Sequence, residues 1–277
     1  MLTYIVRYLQ VLVQAEDGSV GDWMTKNKPN QSKKEDRFFF PNGVATNGIW
    51  MWTTPFIIRR SKTESPIAVL VVVTDACFDL NANEQKHFPI IGLILLLSSF
   101  FIYNDTKVIS ETSISTLTQF MHYGQVASQS FEGKAFQRLM FLIRNCNVAG
   151  LNHASRNYKL VQDNFEDCKA YLMSEDFIGL DGGITAEFQD PFKAFVVNLV
   201  ADVVPKRFGS IPASWGTFCY TIKNLVAAFN AEDMHSPTSK LDSVLRIVLN
   251  LPEKQHVKKQ PHRPQPILNM DLETSGK

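Results

Sequence analysis

Residues 88–103 read FPIIGLILLLSSFFIY. This is the most hydrophobic stretch of the chain, and its reading separates a membrane protein from an α/β domain. A membrane-spanning helix needs about 20 apolar residues. This run has 16, interrupted by Pro89, Gly92, Ser98 and Ser99, with Lys86 and His87 before it and Asn104 and Asp105 after it. It is too short and too broken to span. The reading it supports is a buried helix that passes through Ser98-Ser99 into a short strand over residues 100–103.

Upstream, residues 67–74 (IAVLVVVT) form a continuous apolar run, as expected of a strand buried on both faces in the middle of an α/β sheet. Residues 49–59 (IWMWTTPFIIR) are aromatic and β-branched and predict one strand, with a polar turn over 61–65. At the amino end, Leu2, Ile5, Val6, Leu9 and Val13 recur at helical spacing and predict an amphipathic helix. With no charged start and no small-residue cleavage site, that segment is not a signal peptide. Residues 16–36 read as a long polar surface loop.

Downstream, Ile114, Leu117, Phe120 and Met121 mark a helix expected to end near Tyr123-Gly124. Residues 136–143 (FQRLMFLI) predict a strand. Residues 160–173 predict a helix with Phe165 and Tyr171 inward, and residues 192–204 a long apolar helix. Pro205, Pro212 and Ser214 punctuate a loop before a helix over 217–229, and a further helix begins over 241–251. The proline-rich polar tail from Pro252 cannot build a core and is expected to be disordered. Strands alternating with helices argue for an α/β domain with a mainly parallel sheet and flanking helices, followed by a helical segment.

Bulk numbers narrow the function. Lys+Arg of 28 against Asp+Glu of 27 leaves a net charge of +1, so no global field points to nucleic acid or an acidic membrane. Cys77, Cys146, Cys168 and Cys219 are widely spaced and suggest neither a zinc site nor a disulfide framework; they read as free thiols. The six histidines, His122 among them, show no metal-ligand spacing.

An ordered series of tracts then resembles the atlastin and guanylate-binding-protein type of large GTPase, in the dynamin superfamily. Thr46-Asn47-Gly48-Ile49 leading to Trp50-Met51-Trp52 resembles the switch-I exit. Ala68-Val69-Leu70 and Phe78-Asp79 resemble the next strand and loop, and Ser98-Ser99-x-x-x-Tyr103-Asn104 a helix-to-strand signature. Glu111, Leu117, Phe120 and Tyr123-Gly124 follow at the family's spacing. Phe136-Gln137 and Phe141-Leu142-x-Arg144 resemble the strand ending in a guanine-reading Arg-Asp pair, and His235-Ser236-Pro237-x-Ser239 the link into a helical bundle. The resemblance covers roughly residues 1–245. The Ile-Trp-Met-Trp tract leans towards guanylate-binding proteins; the Ser-Ser…Tyr-Asn passage and Ser-Pro link favour atlastin.

The resemblance implies a P-loop GTPase-type fold over residues 1–235, the start of a helical middle domain over 236–251, and a tail over 252–277. It also implies GTP and Mg²⁺ as ligands, and GTP-dependent G-domain dimerisation, with itself or a family paralogue, driving fusion at the cytoplasmic face of the endoplasmic reticulum. Thr46 matches the threonine that ligates Mg²⁺; the alternative is a loop threonine that caps or packs. Arg144 and Asn145 match the guanine-reading pair; the alternative is a polar strand end.

Several departures weaken the inherited chemistry. The sequence holds no G-x-x-x-x-G-K-[ST] phosphate loop. The family places that loop, with the first strand, immediately before the helix of residues 1–12. It supplies backbone amides, a lysine and a Mg²⁺-binding hydroxyl, and in atlastins the catalytic arginine. The expectation is therefore a G domain lacking its first strand and phosphate loop, with no catalytic residue assigned, two unpaired strand edges or a collapsed gap, and marginal stability. Val73 stands where the Mg²⁺-side aspartate belongs and Ala76 where a γ-phosphate-facing glycine belongs, with Asp75 out of register. Asn145 replaces an aspartate and offers one acceptor and one donor in place of two acceptors. Phe38-Phe39-Phe40 occupies the loop that carries an arginine in atlastins, with Arg37 out of register; it reads as an interface or lipid patch or, in preference, a folded-under loop. Two functions follow: an impaired atlastin-like GTPase, or a pseudo-GTPase that binds a partner through its G-domain face. A membrane protein anchored by residues 88–103 ranks last.

Overall fold

The computed structural model describes residues 2–15, 20–24, 49–52, 54–59, 64–74, 84–128, 133–134, 136–146, 156–173 and 186–230. Helix α1 (Leu2–Gln14) opens the chain. It buries Val6, Tyr8 and Leu9 but leaves Val13 exposed, so the apolar face ends a turn earlier than the spacing predicts. Within the stretch read as a polar loop, Trp23 and Met24 are core residues: Trp23 packs edge-on against Tyr8, and the Met24 carbonyl accepts from Arg7 at 2.8 Å.

The single strand expected over 49–59 is two: β1 (Ile49–Met51) and β2 (Phe56–Ile58). The run over 67–74 likewise divides into β3 (Ile67–Val69) and β4 (Val72–Thr74). β1 pairs antiparallel with β4 and β2 antiparallel with β3. Residues 52–55 face only residues 70–71 across the hairpin, so one arm carries two extra residues and must bulge. Pro55 falls in that bulge, where its missing N–H costs no ladder bond, while the Trp52 amide still donates to the Val71 carbonyl at 2.9 Å. The expectation of a central parallel strand buried on both faces fails here. Ala68 and Val72 are exposed and the rest of the arm is half-buried, because among the described residues this arm has a strand on one side only.

Helix α2 (Glu84–Leu97) leads through Ser98-Ser99 into β5 (Phe100–Thr106). Ile91, Leu93, Ile94, Leu95 and Leu96 are all buried, as a helix apolar all round requires. No helix among the described residues is long and apolar enough to cross a membrane. Helix α3 (Glu111–Ser128) is capped by Ser110, whose Oγ accepts the Ser113 amide at 3.0 Å. It runs past Tyr123-Gly124, where the sequence suggests a stop. Gly124 does not end the helix; it admits Phe136, since a Cβ there would lie 2.5 Å from that ring.

β6 (Phe136–Arg144) is the centre of the molecule. It pairs in parallel with β5 and with β7 (Phe165–Leu172). The helix expected over 160–173 is therefore corrected: α4 (Arg156–Asn164) ends where β7 begins. Val161, Phe165, Cys168 and Leu172 recur at a helix-like spacing, and pairing with β6 overrides it. α5 (Ala186–Ala201) starts before the expected 192, with Pro191 accommodated near its start, and ends three residues before the expected 204, ahead of Pro205. The following loop contains a small hairpin, β8 (Arg207–Phe208) with β9 (Ile211–Pro212), before α6 (Trp215–Asn230).

The parallel order β5-β6-β7 with intervening helices α3 and α4 is an α/β architecture of GTPase type. Side chains alternate across β6. Leu139, Phe141 and Ile143 meet residues of α2, α3, α4 and α6, while Met140 and Leu142 meet those of α1, α5 and the β2–β3 hairpin. The amino ends of the strands are fastened by the segment after α5. The buried Gln137 donates to the Pro205 carbonyl at 3.0 Å and accepts from the Arg207 amide at 2.8 Å. Cys146 is buried, Cys168 and Cys219 are half-buried, and all three are free thiols. The helix expected over 241–251, the expected disordered tail and the expected domain boundaries lie outside the described residues.

Candidate functional site

In open parallel sheets, ligands bind at the carboxyl ends of the strands. Here those ends bring together Asn104 and Asp105 of β5, Arg144 of β6 with Asn145 just after it, and Met173 after β7. Arg144 is the last residue of β6, opposite Thr106. Its Nε donates to Asn104 Oδ1 at 2.8 Å, which fixes the guanidinium over the β5 end. Its carbonyl accepts the Lys107 amide at 2.7 Å.

Lys107 and Asn145 both adopt the left-handed backbone region, with φ of 69° and 53°. Two adjacent strands thus turn away sharply at the same edge. Asparagine and aspartate are the non-glycine residues that enter this region most readily. The Asn145 turn is clamped from both sides: Met173 N donates to Ile143 O and Cys146 N to Met173 O, each at 2.8 Å. Asn145 itself is exposed to solvent.

Asp105 ties this edge to α3. Its Oδ1 accepts the Thr106 amide at 2.7 Å and its Oδ2 accepts the Ser113 hydroxyl at 2.6 Å. Tyr103 lies beneath. Burial pushes its phenol up; the bond with Ser113 opposes this and the Asp105 charge adds to it.

Of the residues singled out from the sequence, Arg144 and Asn145 lie at this edge. Thr46, Arg37, Phe38-Phe39-Phe40, Asp75, Ala76 and Phe78-Asp79 lie outside the described residues, as do residues 147–155. Val73 is on β4, paired with Trp50, and its side chain carries no oxygen. A Mg²⁺ ion has no donor at that position, so the described residues do not fit the family's metal site there. Among the described residues, no three His, Cys, Asp or Glu side chains converge into a metal-holding group. Sequence reading missed Asn104 and Asp105 as holders of the site. The Tyr103-Asn104 tract was visible, but its partner Arg144 is 40 residues away and becomes a neighbour only through the β5–β6 register.

Comparisons with known proteins bear on the fold class. Residues 32–160 match the guanylate-binding protein N-terminal domain, a span that contains the hairpin, β5, α3 and β6. Together with the parallel α/β core, that match makes the chain similar to large GTPases of the atlastin and guanylate-binding-protein type. Within this type, the relatives include Atlastin-3 of Mus musculus, 28% identical over 88% of this chain and 50% of that protein. Atlastin-2 of Homo sapiens is 34% identical over 36% of this chain and 17% of that protein. RING finger protein 112 of Mus musculus is 24% identical over 58% of this chain and 27% of its own length. The chain spans at most about half the length of these relatives.

Proposed function

We propose that this chain is an atlastin-like G-domain module whose guanine-nucleotide chemistry is impaired. The observation that carries the reading is the Arg144–Asn145 turn at the carboxyl edge of the parallel sheet, with Arg144 held by Asn104. The position and the backbone suit a base-reading element; the side chain does not. An aspartate presents two acceptors to the two guanine N–H groups, whereas the Asn145 amide sets one donor against them. Val73 removes a second inherited contact, the carboxylate on the metal side. GTP and Mg²⁺ belong to this reading as family ligands that the chain holds weakly or not at all. Dimerisation and a place at the cytoplasmic face of the endoplasmic reticulum rest on the resemblance to atlastins.

A fluorescent GTP analogue titrated onto the 277-residue chain tests the proposal. No saturable binding is expected at micromolar concentration. Tight binding with steady phosphate release from GTP overturns it. Asn145→Asp sharpens the test, because aspartate tolerates the same left-handed backbone. It should shift whatever nucleotide binding exists towards guanine over adenine, and an unchanged preference removes Asn145 from the site.

The second reading, a non-catalytic interaction module, is favoured by the β1–β4 ladder. Ile49, Trp50, Met51 and Val72 are all exposed there. A cluster of this kind is a surface for another G domain, a second copy or a paralogue.

A further inference from the structure

Residues 202–213, the link between α5 and α6, lie across the amino ends of the parallel strands, and their fastenings are mostly polar. Arg138 of β6 donates to the Asp202 carbonyl, and Lys169 of β7 pairs with the Asp202 carboxylate at 3.3 Å. Gln137 holds the Pro205 carbonyl and the Arg207 amide, and the Arg207 guanidinium pairs with Glu166 near the start of β7. The Ala213 amide donates to the Lys206 carbonyl at 2.7 Å and extends the β8–β9 hairpin by one bond. Phe208 is the one buried side chain of the link. A segment with so little buried apolar surface and so many polar fastenings is the kind that opens locally while the core stays folded.

Lys206 does not share in the pairing. The residue is half-buried, and its amine end turns inward to the Ser98 carbonyl and the face of the Phe208 ring. An ammonium carries three donors, and here it meets one acceptor. Among the described residues no carboxylate pairs with it, since the nearest candidate, Glu166, is taken by Arg207. We infer that residues 202–213 form a clasp that opens apart from the core, and that a proton on Lys206 opens it.

The charges around the amine set the direction. Glu166 of β7 favours the proton and Arg207 of β8 opposes it, and burial outweighs both. Arg138 of β6 and Asp167 and Lys169 of β7 form their own network with Asp202. Residues 91–103, across α2 and β5, carry no charged side chain, and the single charge of α6, Lys223, is exposed. The closed clasp therefore holds the amine with a pKa of about 7, while the open clasp returns it to 10.5. Between those values the open form binds a proton that the closed form lacks. Opening is favoured as pH falls towards 7, and the clasp tightens as pH rises. The clasp leads directly into α6, where the Ser214 hydroxyl accepts the Thr217 amide at 3.1 Å, so opening also frees the entry to that helix.

Hydrogen exchange of the full chain, corrected for the free-chain rate at each pH, tests this. The Arg207 and Ala213 amides report the clasp and the β6 amides report the core. In the parent, the clasp amides should exchange faster than those of β6, and their protection should rise at least about tenfold between pH 7 and pH 9, as release of one proton requires. Lys206→Met should remove the rise, and Lys206→Arg, charged at both values, should keep clasp protection low throughout. Each variant is read against its own β6 amides, which separates a loosened clasp from a fold weakened everywhere. Clasp amides protected as strongly as β6 would show that the segment opens only with the whole fold and would overturn the inference. So would an unchanged pH response in Lys206→Met. The parent comparison decides the matter even if a variant fails to fold. No nucleotide enters the measurement, so the inference can fail while the proposed function stands.

Discussion

The central strand β6, FQRLMFLIR, and the hairpin arm over residues 67–74, IAVLVVVT, are both dominated by apolar residues, yet they meet opposite fates. In β6 every residue but Arg138 and Arg144 is buried, with Phe141 and Ile143 at zero exposure. In the hairpin arm no residue is buried. The difference lies in the neighbours. β6 has a strand on either side and helices over both faces, whereas the hairpin arm has, among the described residues, one antiparallel partner that is itself exposed over β1. Hydrophobicity states what a strand can bury; the number of partners decides what it does bury.

The largest expected effect lies where the partners are most numerous. The centre of the Phe141 ring lies 5.8 Å from the centres of both the Tyr103 and the Tyr158 rings. Phe141→Ala should cost about 3–5 kcal/mol through lost transfer free energy and the cavity left behind. Against a typical stability of about 5–15 kcal/mol, that should visibly lower the thermal midpoint or abolish the cooperative transition. A loss below about 1 kcal/mol would mean that β6 is not the close-packed centre described here.

Gly124 tests the same region from the opposite direction, by adding volume. A methyl group at this position meets the Phe136 ring at 2.5 Å, inside contact distance. Gly124→Ala gains helix propensity worth about 1 kcal/mol. Overpacking costs about 1–3 kcal/mol, so the net change should be destabilising. Phe136→Leu in the same chain should recover part of the loss, and chemical denaturation of the single and double variants reads the coupling. A stabilising Gly124→Ala would show that Phe136 moves aside freely.

The amino edge of the sheet carries a pH dependence. Lys206 Nζ donates to the Ser98 carbonyl at 3.1 Å and lies 5.4 Å from the centre of the Phe208 ring. Burial lowers its pKa to about 7; Glu166 opposes that shift and Arg207 adds to it. Between about pH 7 and its ordinary 10.5, the unfolded chain holds a proton that the folded chain has released, so stability should rise with pH across that window. Burial also lifts the Cys168 thiol from 9.0 to about 11, and this removes stability as pH climbs above 9. The clean interval is pH 7 to 9: the thermal midpoint should rise there, and Lys206→Met should flatten the rise. A flat profile in the parent chain would place Lys206 in water.

The same contrast explains what the sequence made legible. The parallel core was readable from apolar runs of strand length alternating with helical periods, and Ser98-Ser99 marked the passage from α2 to β5 correctly. β7 was not readable, because the Phe165, Cys168 and Leu172 spacing satisfies a helix until β6 supplies a partner. The hairpin was misread because Pro55 and the extra residues opposite 70–71 divide strands that looked continuous. Arg144 and Asn145 could be named from their tract. Their setting could not, since Asn104, Lys107 and Met173 arrive through register and strand order rather than through local sequence.

The smallest stability effect is expected at Trp50, and it bears most directly on the hairpin. Trp50 is 39% exposed and paired with Val73 on β4. A tryptophan in the core would cost about 3–5 kcal/mol on truncation; a surface substitution stays within about 0.5 kcal/mol. Trp50→Ser should therefore leave the thermal midpoint nearly unchanged, in contrast to Phe141→Ala. If the β1–β4 ladder is an interface, the same substitution should still reduce self-association in sedimentation experiments, because exposed aromatic residues anchor interfaces more often than they anchor folds. A large loss of stability would show that the hairpin is covered after all. Unchanged stability together with unchanged self-association would leave the exposed ladder without a partner of its own kind and return the non-catalytic reading to the carboxyl edge of the sheet.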